Sequence, residues 1–290
     1  ISIRMRFFIE RRSYMATVEE LIINGKKKVH STHAKMLLAD LLNLNSLELL
    51  LHLDEEVTPE VEQHYYEQIQ KLANQEPLQY VIGNVNFYGN TFVVNPKVLI
   101  PRFETEELVE NTLNFIQYYF SKQDLKIIDL GTGSGCIGIT LKKKLPTSQV
   151  TLVDISKEAL TVALENAKQL EADITCLESD FWEKVPGKYH IVISNPPYLK
   201  QDEEVENIVV QNEPHLALYA GEDGLDCYQK ILSEIKEHLE EEYLVAFEIG
   251  ADQGLPLKKM FQEVFTDALI TLKKDLQGRD RMIFALKKKA

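Results

Sequence analysis

The chain has 290 residues, with 32 Lys and Arg against 45 Asp and Glu, so its formal net charge is −13. That charge repels phosphate backbones, so we expect no direct binding of nucleic acid unless a local basic face exists. Three scattered cysteines without a CxxC pair indicate neither a disulfide framework nor a zinc site, and the histidines show no metal-ligand spacing. No apolar run approaches the roughly 18 residues that span a bilayer. We therefore expect a cytoplasmic protein with no membrane partner and no metal.

The sequence divides into four predicted segments. Residues 1–16 have one short apolar stretch and no small-residue cleavage pattern, so they are predicted to be a disordered or non-native extension rather than a signal peptide. Residues 17–78 have a helical pattern and predict a small helical bundle. Residues 79–94 carry glycines between alternating apolar residues, which predicts a β-hairpin linker. Residues 95–290 form the fourth and largest segment.

Two helix starts are marked in the helical segment. Thr17 followed three residues later by Glu20 predicts a capping box. Thr58 before Pro59 predicts a helix with proline in its first position.

Strands and helices alternate in residues 95–290, which predicts a mostly parallel α/β sheet covered by helices on both faces, as in Rossmann-like folds. The predicted helices are Glu104–Phe120, Cys136–Leu145, Lys157–Leu170 and Leu225–Leu239. The predicted strands are Ile127–Leu130, Val150–Asp154, Ile174–Leu177, Ile191–Ser194, Leu244–Ile249, Ala268–Leu272 and Met282–Leu286.

A glycine-rich loop follows the first of these strands and leads into a helix. Glycines let the backbone turn sharply and approach a ligand closely, with the helix N-terminus behind it. Asp154 ends the next strand, where a carboxylate can hold two ribose hydroxyls. The loop also fits the G-x-G-x-x-G spacing of dinucleotide enzymes, so by itself it leaves NAD and S-adenosylmethionine open. The candidate cofactor residues of this loop are Gly131, Thr132, Gly133, Ser134 and Gly135.

Asp180 and Phe181 follow the third strand. A carboxylate beside an aromatic ring suits the amino group and the ring of an adenine. An ordinary polar turn with a core aromatic explains the pair equally well, and Trp182 is a second candidate for the ring.

The segment Asn195-Pro196-Pro197-Tyr198 follows the fourth strand, at the edge where such sheets bind ligands. Two prolines fix the backbone and remove two N–H donors. The local carbonyls and the Asn195 side-chain oxygen then form a rigid set of acceptors for both hydrogens of an –NH2 group. Such acceptors favour the positive charge that builds on nitrogen during methyl transfer, and they aim the nitrogen for in-line displacement. The segment therefore predicts methylation of a planar amide or amine nitrogen, with the Tyr198 ring against the substrate.

The glycine loop together with Asn195-Pro196-Pro197-Tyr198 resembles the class I amino-methyltransferases, and the chain is similar to the HemK/PrmC family in particular. The similarity covers nearly the whole chain after the N-terminal extension. One departure is Phe103, where the family usually has proline. The other matching segments are Glu76 to Tyr80, Val98 to Arg102, Glu104 to Glu106, Glu213-Pro214, Gly224-Leu225, and Asp275 with Gly278 to Arg281.

This resemblance implies a Rossmann-like class I S-adenosylmethionine methyltransferase with an N-terminal helical bundle that docks the substrate. It implies transfer of a methyl group to the side-chain nitrogen (N5) of the glutamine in the Gly-Gly-Gln loop of peptide chain release factors. The glycine loop, Asp154, Asp180, Phe181 and Asn195 would then contact the cofactor. The same resemblance makes Asn195 to Tyr198 the glutamine site: Asn195 orients the nucleophile, a Pro196 carbonyl accepts a hydrogen, and Tyr198 packs on the amide.

Several interpretations stay open at this stage. A glutamine methyltransferase of a ribosomal protein would share the fold. An adenine-N6 nucleic-acid methyltransferase would use the same motif on a flipped base but requires a basic groove. Neither an NAD-binding oxidoreductase nor a non-catalytic nucleotide-binding module gives Asn195-Pro196-Pro197-Tyr198 a reason to exist. Glu248 is either a pocket residue or a partner of Arg279 or Arg281.

Overall fold

The computed structural model describes residues 15–121, 124–203 and 207–289. The expectation for residues 1–14 lies outside the described residues. The chain separates into two compact units, Ile1–Ile82 and Gly83–Ala290. Across the described residues, no helix combines the length and the apolar character needed to cross a membrane.

The first unit is helical, and both predicted helix starts are confirmed. The Thr17 hydroxyl accepts from the Glu20 backbone N–H, and the Glu20 carboxylate accepts from the Thr17 N–H. Thr58 caps the helix that begins at Pro59. Apolar residues three and four apart on these helices meet in a core of their own. The helices are α1 (Val18–Gly25), α2 (Ser31–Leu41), α3 (Glu48–Leu51), α4 (Pro59–Ala73) and α5 (Leu78–Ile82).

The hairpin that follows is shorter than the predicted 79–94. It consists of β1 (Asn84–Phe87) and β2 (Asn90–Val93), because residues 78–82 form α5 and bury apolar side chains in the helical core. The hairpin buries Phe87 and Phe92 in the core of the second unit. It is therefore a packed part of that unit rather than a linker.

The second unit contains, within the described residues, a seven-stranded sheet of order β5-β4-β3-β6-β7-β9-β8. Strands β3 to β7 pair in parallel, and β9 runs antiparallel to both of its neighbours. The predicted, mostly parallel sheet is thus confirmed. The strands are β3 (Lys126–Leu130), β4 (Gln149–Asp154), β5 (Thr175–Glu178), β6 (Tyr189–Ser194), β7 (Leu239–Glu248), β8 (Leu269–Lys274) and β9 (Asp280–Lys287).

Helices cover the two faces of the sheet and form an apolar core on each. Successive residues of the central strands belong to different cores. Ile127 belongs to one core and Ile128 to the other, as the two-residue period of a strand requires. The helices are α6 (Phe103–Tyr119), α7 (Cys136–Lys144), α8 (Lys157–Gln169), α9 (Asn207–Asn212), α10 (Asp226–Glu234) and α11 (Gly254–Val264), with 3-10 turns at His215–Ala217 and Ile235–His238.

The order of the sheet places a crevice between β3 and β6. The chain passes from β3 outward through β4 and β5, then returns to the other side of β3 as β6. Connections that diverge from neighbouring parallel strands leave an opening at the carboxyl ends, where open α/β sheets bind ligands.

Candidate active site

The two sequence motifs begin side by side at this crevice. In the sheet register Leu130 pairs with Ser194, so Gly131 and Asn195 are the first residues beyond neighbouring strand ends. The Ser194 hydroxyl donates to the Leu130 carbonyl oxygen across 2.6 Å. A buried side-chain bond therefore ties the starts of the two loops together.

A cavity of about 360 Å³ lies at this edge. Nine of the sequence-predicted site residues line it, drawn from the carboxyl ends of four strands and the loops that follow them. Gly135, Pro196 and Tyr198 are not among the lining residues. The predicted residues that line it are Gly131, Thr132, Gly133, Ser134, Asp154, Asp180, Phe181, Asn195 and Pro197.

Asp154 braces the glycine loop from the end of β4. Its Oδ2 accepts from the Gly133 N–H and its Oδ1 from the Ser156 N–H, both across 2.9 Å. Burial raises the pKa of Asp154, and these backbone hydrogen bonds oppose the rise. Each carboxylate oxygen keeps a further lone pair, so Asp154 can still accept hydrogen bonds from a ligand in the cavity.

A second carboxylate, Asp129, holds the loop from behind. It is fully buried on β3, and its Oδ2 accepts from the Thr132 hydroxyl and from the Gly138 N–H. Burial raises the pKa of Asp129 to about 7, although both hydrogen bonds lower it. Asp129 therefore ties the glycine loop to the first turn of α7.

The structure separates the two candidate aromatic residues after β5. Phe181 lines the cavity, whereas Trp182 is buried and donates its Nε1–H to the Ile231 carbonyl oxygen across 2.8 Å. The Trp182 ring stacks on His238. Asp180 lines the cavity as well and forms an ion pair with Lys230 of α10. Phe181 is thus the ring available to a ligand.

The Asn195 side chain belongs to a buried hydrogen-bond chain. Its Nδ2 donates to Thr105 Oγ1 across 3.2 Å, and the Thr105 hydroxyl donates to Glu248 Oε2 across 2.7 Å. Glu248 does not line the cavity but lies behind Thr105, and its carboxyl also faces the Arg281 charge. The Glu248 carboxylate therefore supports the site from outside the cavity.

The backbone of the Asn195–Tyr198 segment is fixed by contacts from two other loops. Gln253 Nε2 donates to the Tyr198 carbonyl oxygen and to the Gly224 carbonyl oxygen. At Gly224 φ is +74°, and a Cβ there would lie 2.4 Å from the Tyr198 carbonyl oxygen. Only glycine therefore permits this approach. The Tyr198 hydroxyl also faces the charge of Glu248.

Other residues of the matching segments support the site from its rim. Glu213 accepts from the Ile100 N–H and pairs with Arg102, so two distant segments meet there. The sequence left Arg279 open as a possible partner of Glu248. In the structure Arg279 forms an ion pair with Glu104.

Sequence reasoning assigned no role to several residues that line the cavity. Thr105, Leu216, Tyr219 and Lys230 come from α6, from the 3-10 turn and its C-terminal flank, and from α10. The only signal for them was their nearness to matching segments, such as Gly224-Leu225 for Lys230, because a single sequence gives no measure of contact between distant elements.

Solved structures similar to this chain support the fold. The methyltransferase RsmC of T. thermophilus, which acts on 16S rRNA and was solved with AdoMet and guanosine, has a TM-score of 0.53 at 16% identity, over 71% of this chain and 50% of its own. The human Mettl16 catalytic domain has a TM-score of 0.53 at 14% identity, over 78% and 84%. At these identities the likeness concerns the fold alone.

Family models and curated relatives carry the comparison further. Residues 28–83 match the PrmC N-terminal domain, and residues 103–222 match the methyltransferase small domain. A release factor glutamine methyltransferase of Bacillus cereus is 41% identical over 256 residues, covering 87% of this chain and 90% of its own. Its counterpart in Staphylococcus aureus is 34% identical over 277 residues, covering 93% and 98%. With both units matched, the chain belongs to the family of release factor glutamine methyltransferases.

Proposed function

We propose that this enzyme transfers a methyl group from S-adenosylmethionine to the side-chain amide nitrogen (N5) of the glutamine in the Gly-Gly-Gln loop of peptide chain release factors. The observation that carries this function is the adjacency of the glycine loop and the Asn195 segment at one sheet edge, in a chain with relatives named for this activity. We also propose that the reaction takes place in the cytoplasm, because the proposed substrate acts in translation.

Four features of the cavity fit S-adenosylmethionine. Gly133 lines the cavity, and a Cβ there would meet no atom within 4 Å, so its backbone borders open space that a ligand can approach closely. Asp154 offers free lone pairs to the ribose hydroxyls, and Phe181 offers a ring to the adenine, with Asp180 near its amino group. When bound, S-adenosylmethionine would supply an electrophilic methyl group to the nitrogen, with its sulfur as the leaving group.

The residues of this chain then act on the glutamine amide. An amide nitrogen is a poor nucleophile because its lone pair is delocalised into the carbonyl group. The Asn195 Oδ1 and the Pro196 carbonyl accept its two hydrogens, which favours the charge that develops on nitrogen and holds the nitrogen in line with the methyl group. The nitrogen becomes acidic as it is alkylated, so its proton passes to water without a strong general base. Tyr198 packs on the amide plane.

The test is peptide mapping of a release factor after incubation with the enzyme and labelled S-adenosylmethionine. We expect one added methyl group, on the glutamine of the Gly-Gly-Gln loop. Methylation of a ribosomal protein in its place, or of adenine in DNA or RNA, would overturn the assignment and select one of the two alternative functions.

A further inference from the structure

The orientation of the Asn195 amide is set by partners outside the motif. Thr105 bonds the Asn195 amide and Glu248 bonds Thr105, and their exposed fractions are 2% and 1%. Water therefore competes little for the two hydrogen bonds that run from Asn195 Nδ2 through Thr105 Oγ1 to Glu248 Oε2.

The direction of these hydrogen bonds follows from the chemistry of the groups. An ionised carboxylate only accepts, so the Thr105 hydroxyl must donate its single hydrogen to Glu248. The Thr105 oxygen can then only accept a hydrogen bond from Asn195, so the Asn195 amide must donate to it through Nδ2. Because the amide is planar, its Oδ1 points to the other side, and Asn195 lines the cavity.

We propose that Thr105 and Glu248 are positioning residues that fix the Asn195 amide with Oδ1, rather than Nδ2, available to the substrate. This role rests on the proposed function, because only an –NH2 substrate requires an acceptor at that point. The two orientations of an asparagine amide have the same shape and differ only in their hydrogen bonds. A reversed Asn195 amide would present its Nδ2 donor to the –NH2 group of the glutamine, which is also a donor, and would hold the glutamine poorly.

The Glu248 carboxyl also faces the Tyr198 hydroxyl, so its charge acts on the aromatic residue of the segment as well. Burial raises the pKa of Glu248 to about 7, whereas the hydrogen bond from Thr105 and the charge of Arg281 lower it. The groups that face Glu248 from the packed elements are Glu104 and Thr105 of α6, Cys136 of α7, Tyr198, Tyr228 of α10 and Arg281 of β9.

A pH dependence follows from this arrangement. Because the pKa of Glu248 is raised, Glu248 is charged above about pH 7 and becomes neutral as the pH falls through that value. A neutral Glu248 can donate to Thr105, whose hydrogen is then free to bond Asn195 Oδ1 and reverse the amide. We expect the kcat of the wild-type enzyme to fall as the pH drops below about 7, and Glu248→Gln, which does not titrate, to lack this step.

Thr105→Val, Thr105→Ser and the matched control Thr112→Val test the role. Thr112 lies on the same helix, is fully buried, and donates its hydroxyl to the Leu108 carbonyl oxygen of that helix. Thr105→Val should lower kcat at least about tenfold, because a preorganised contact is no longer oriented. Thr105→Ser should restore most of the kcat, and Thr112→Val should stay near wild type. Affinity for S-adenosylhomocysteine, measured by calorimetry, should change little in all three.

The side-chain 15N–1H signals of Asn195 give a readout that needs no substrate. They should shift in Thr105→Val and stay in place in Thr112→Val, with Asn195→Asp used for assignment. A wild-type kcat in Thr105→Val, an equal loss in Thr112→Val, or a fall in cofactor affinity parallel to that in kcat would each overturn the positioning role. Failure of the wild-type enzyme to methylate a release factor overturns the proposed function instead, and the amide signals still decide whether Thr105 orients Asn195.

Discussion

Asp154 has two tasks that the structure joins in one side chain. Its carboxylate braces the backbone of the glycine loop through Gly133 and of the next helix start through Ser156. The same carboxylate is proposed to hold the ribose of the cofactor. A change at this position should therefore weaken both the loop and the contact with the ligand.

We expect Asp154→Ala to weaken S-adenosylmethionine binding by about 1.5–3 kcal/mol, the range for lost hydrogen bonds to a charged group. Isothermal calorimetry measures the effect. The affinity of Asp154→Asn, which keeps one acceptor oxygen, should lie between that of the wild-type enzyme and that of Asp154→Ala. The wild-type enzyme should show no binding of NAD. Unchanged cofactor affinity in Asp154→Ala, or measurable NAD binding, contradicts the cofactor assignment.

Asn195 is expected to act on turnover more than on cofactor affinity. Its Nδ2 is taken by Thr105, so its Oδ1 is the atom proposed for the substrate. Asn195→Ala should lower kcat at least about a hundredfold, as for loss of one preorganised electrostatic contact. Steady-state methylation of a release factor, with calorimetry of the cofactor, separates the two effects. A variant that retains more than about a tenth of wild-type kcat is incompatible with this role.

At the scale of elements, the site depends on loops that brace one another across the crevice. The Asn195–Tyr198 segment, the turn at Gly224 and the start of α11 meet through the Gln253 side chain, which bonds two backbone carbonyls. The shape of the segment is therefore fixed partly from outside, in addition to the restriction that its own prolines impose.

This bracing predicts a specific effect of Gly224→Ala. The added Cβ would lie 2.4 Å from the Tyr198 carbonyl oxygen, so the segment must move. Gly187→Ala is the matched control, because Gly187 also has positive φ, at +79°, but its Cβ would meet nothing within 4 Å. Both variants should lose about 1–2 kcal/mol of stability from the backbone conformation.

We expect only Gly224→Ala to lose most of its kcat in addition. Thermal unfolding and methylation kinetics on the same preparations separate the shared cost in stability from the specific cost in activity. Equal kcat values in the two variants would show that the contact with Tyr198 does not matter.

At the scale of the whole molecule, we propose distinct tasks for the two units. The described residues that line the cavity all belong to the second unit, and the first unit buries a separate apolar core. Neither the sheet nor the glycine loop draws on residues 17–78. Docking of the large protein substrate is therefore the role we propose for the helical unit.

Deletion of residues 1–82 should leave S-adenosylhomocysteine binding nearly unchanged while methylation of an intact release factor falls sharply. A short peptide that contains Gly-Gly-Gln should lose much less of its rate, since it has little surface to dock. Circular dichroism and thermal unfolding serve as the control for folding of the truncated chain. If a folded truncated chain methylates the intact release factor at the full-length rate, the docking role is wrong.

The sequence by itself determined the elements whose causes are local. The capping box at Thr17, the proline start at Pro59 and the strand–loop–helix order around Gly131–Gly135 follow from neighbouring residues, so the pattern was sufficient. Local pattern failed where packing decides. Residues 79–82 were predicted to belong to the hairpin yet form part of a helix against the helical core, and α11 was missed because Gly254 and Pro256 in its first turn resemble a loop.

Only the tertiary structure decided which side chains meet. Phe181 and Trp182 are neighbours of similar character in sequence, and their separation between cavity and core depends on the backbone turn at Phe181, with φ of +48°, and on the partner Ile231. Thr105 and Glu248 are 143 residues apart, and only the packing of α6 against β7 brings them together behind Asn195. Contacts of this kind depend on the full chain being folded, because no local spacing encodes a hydrogen bond between distant elements.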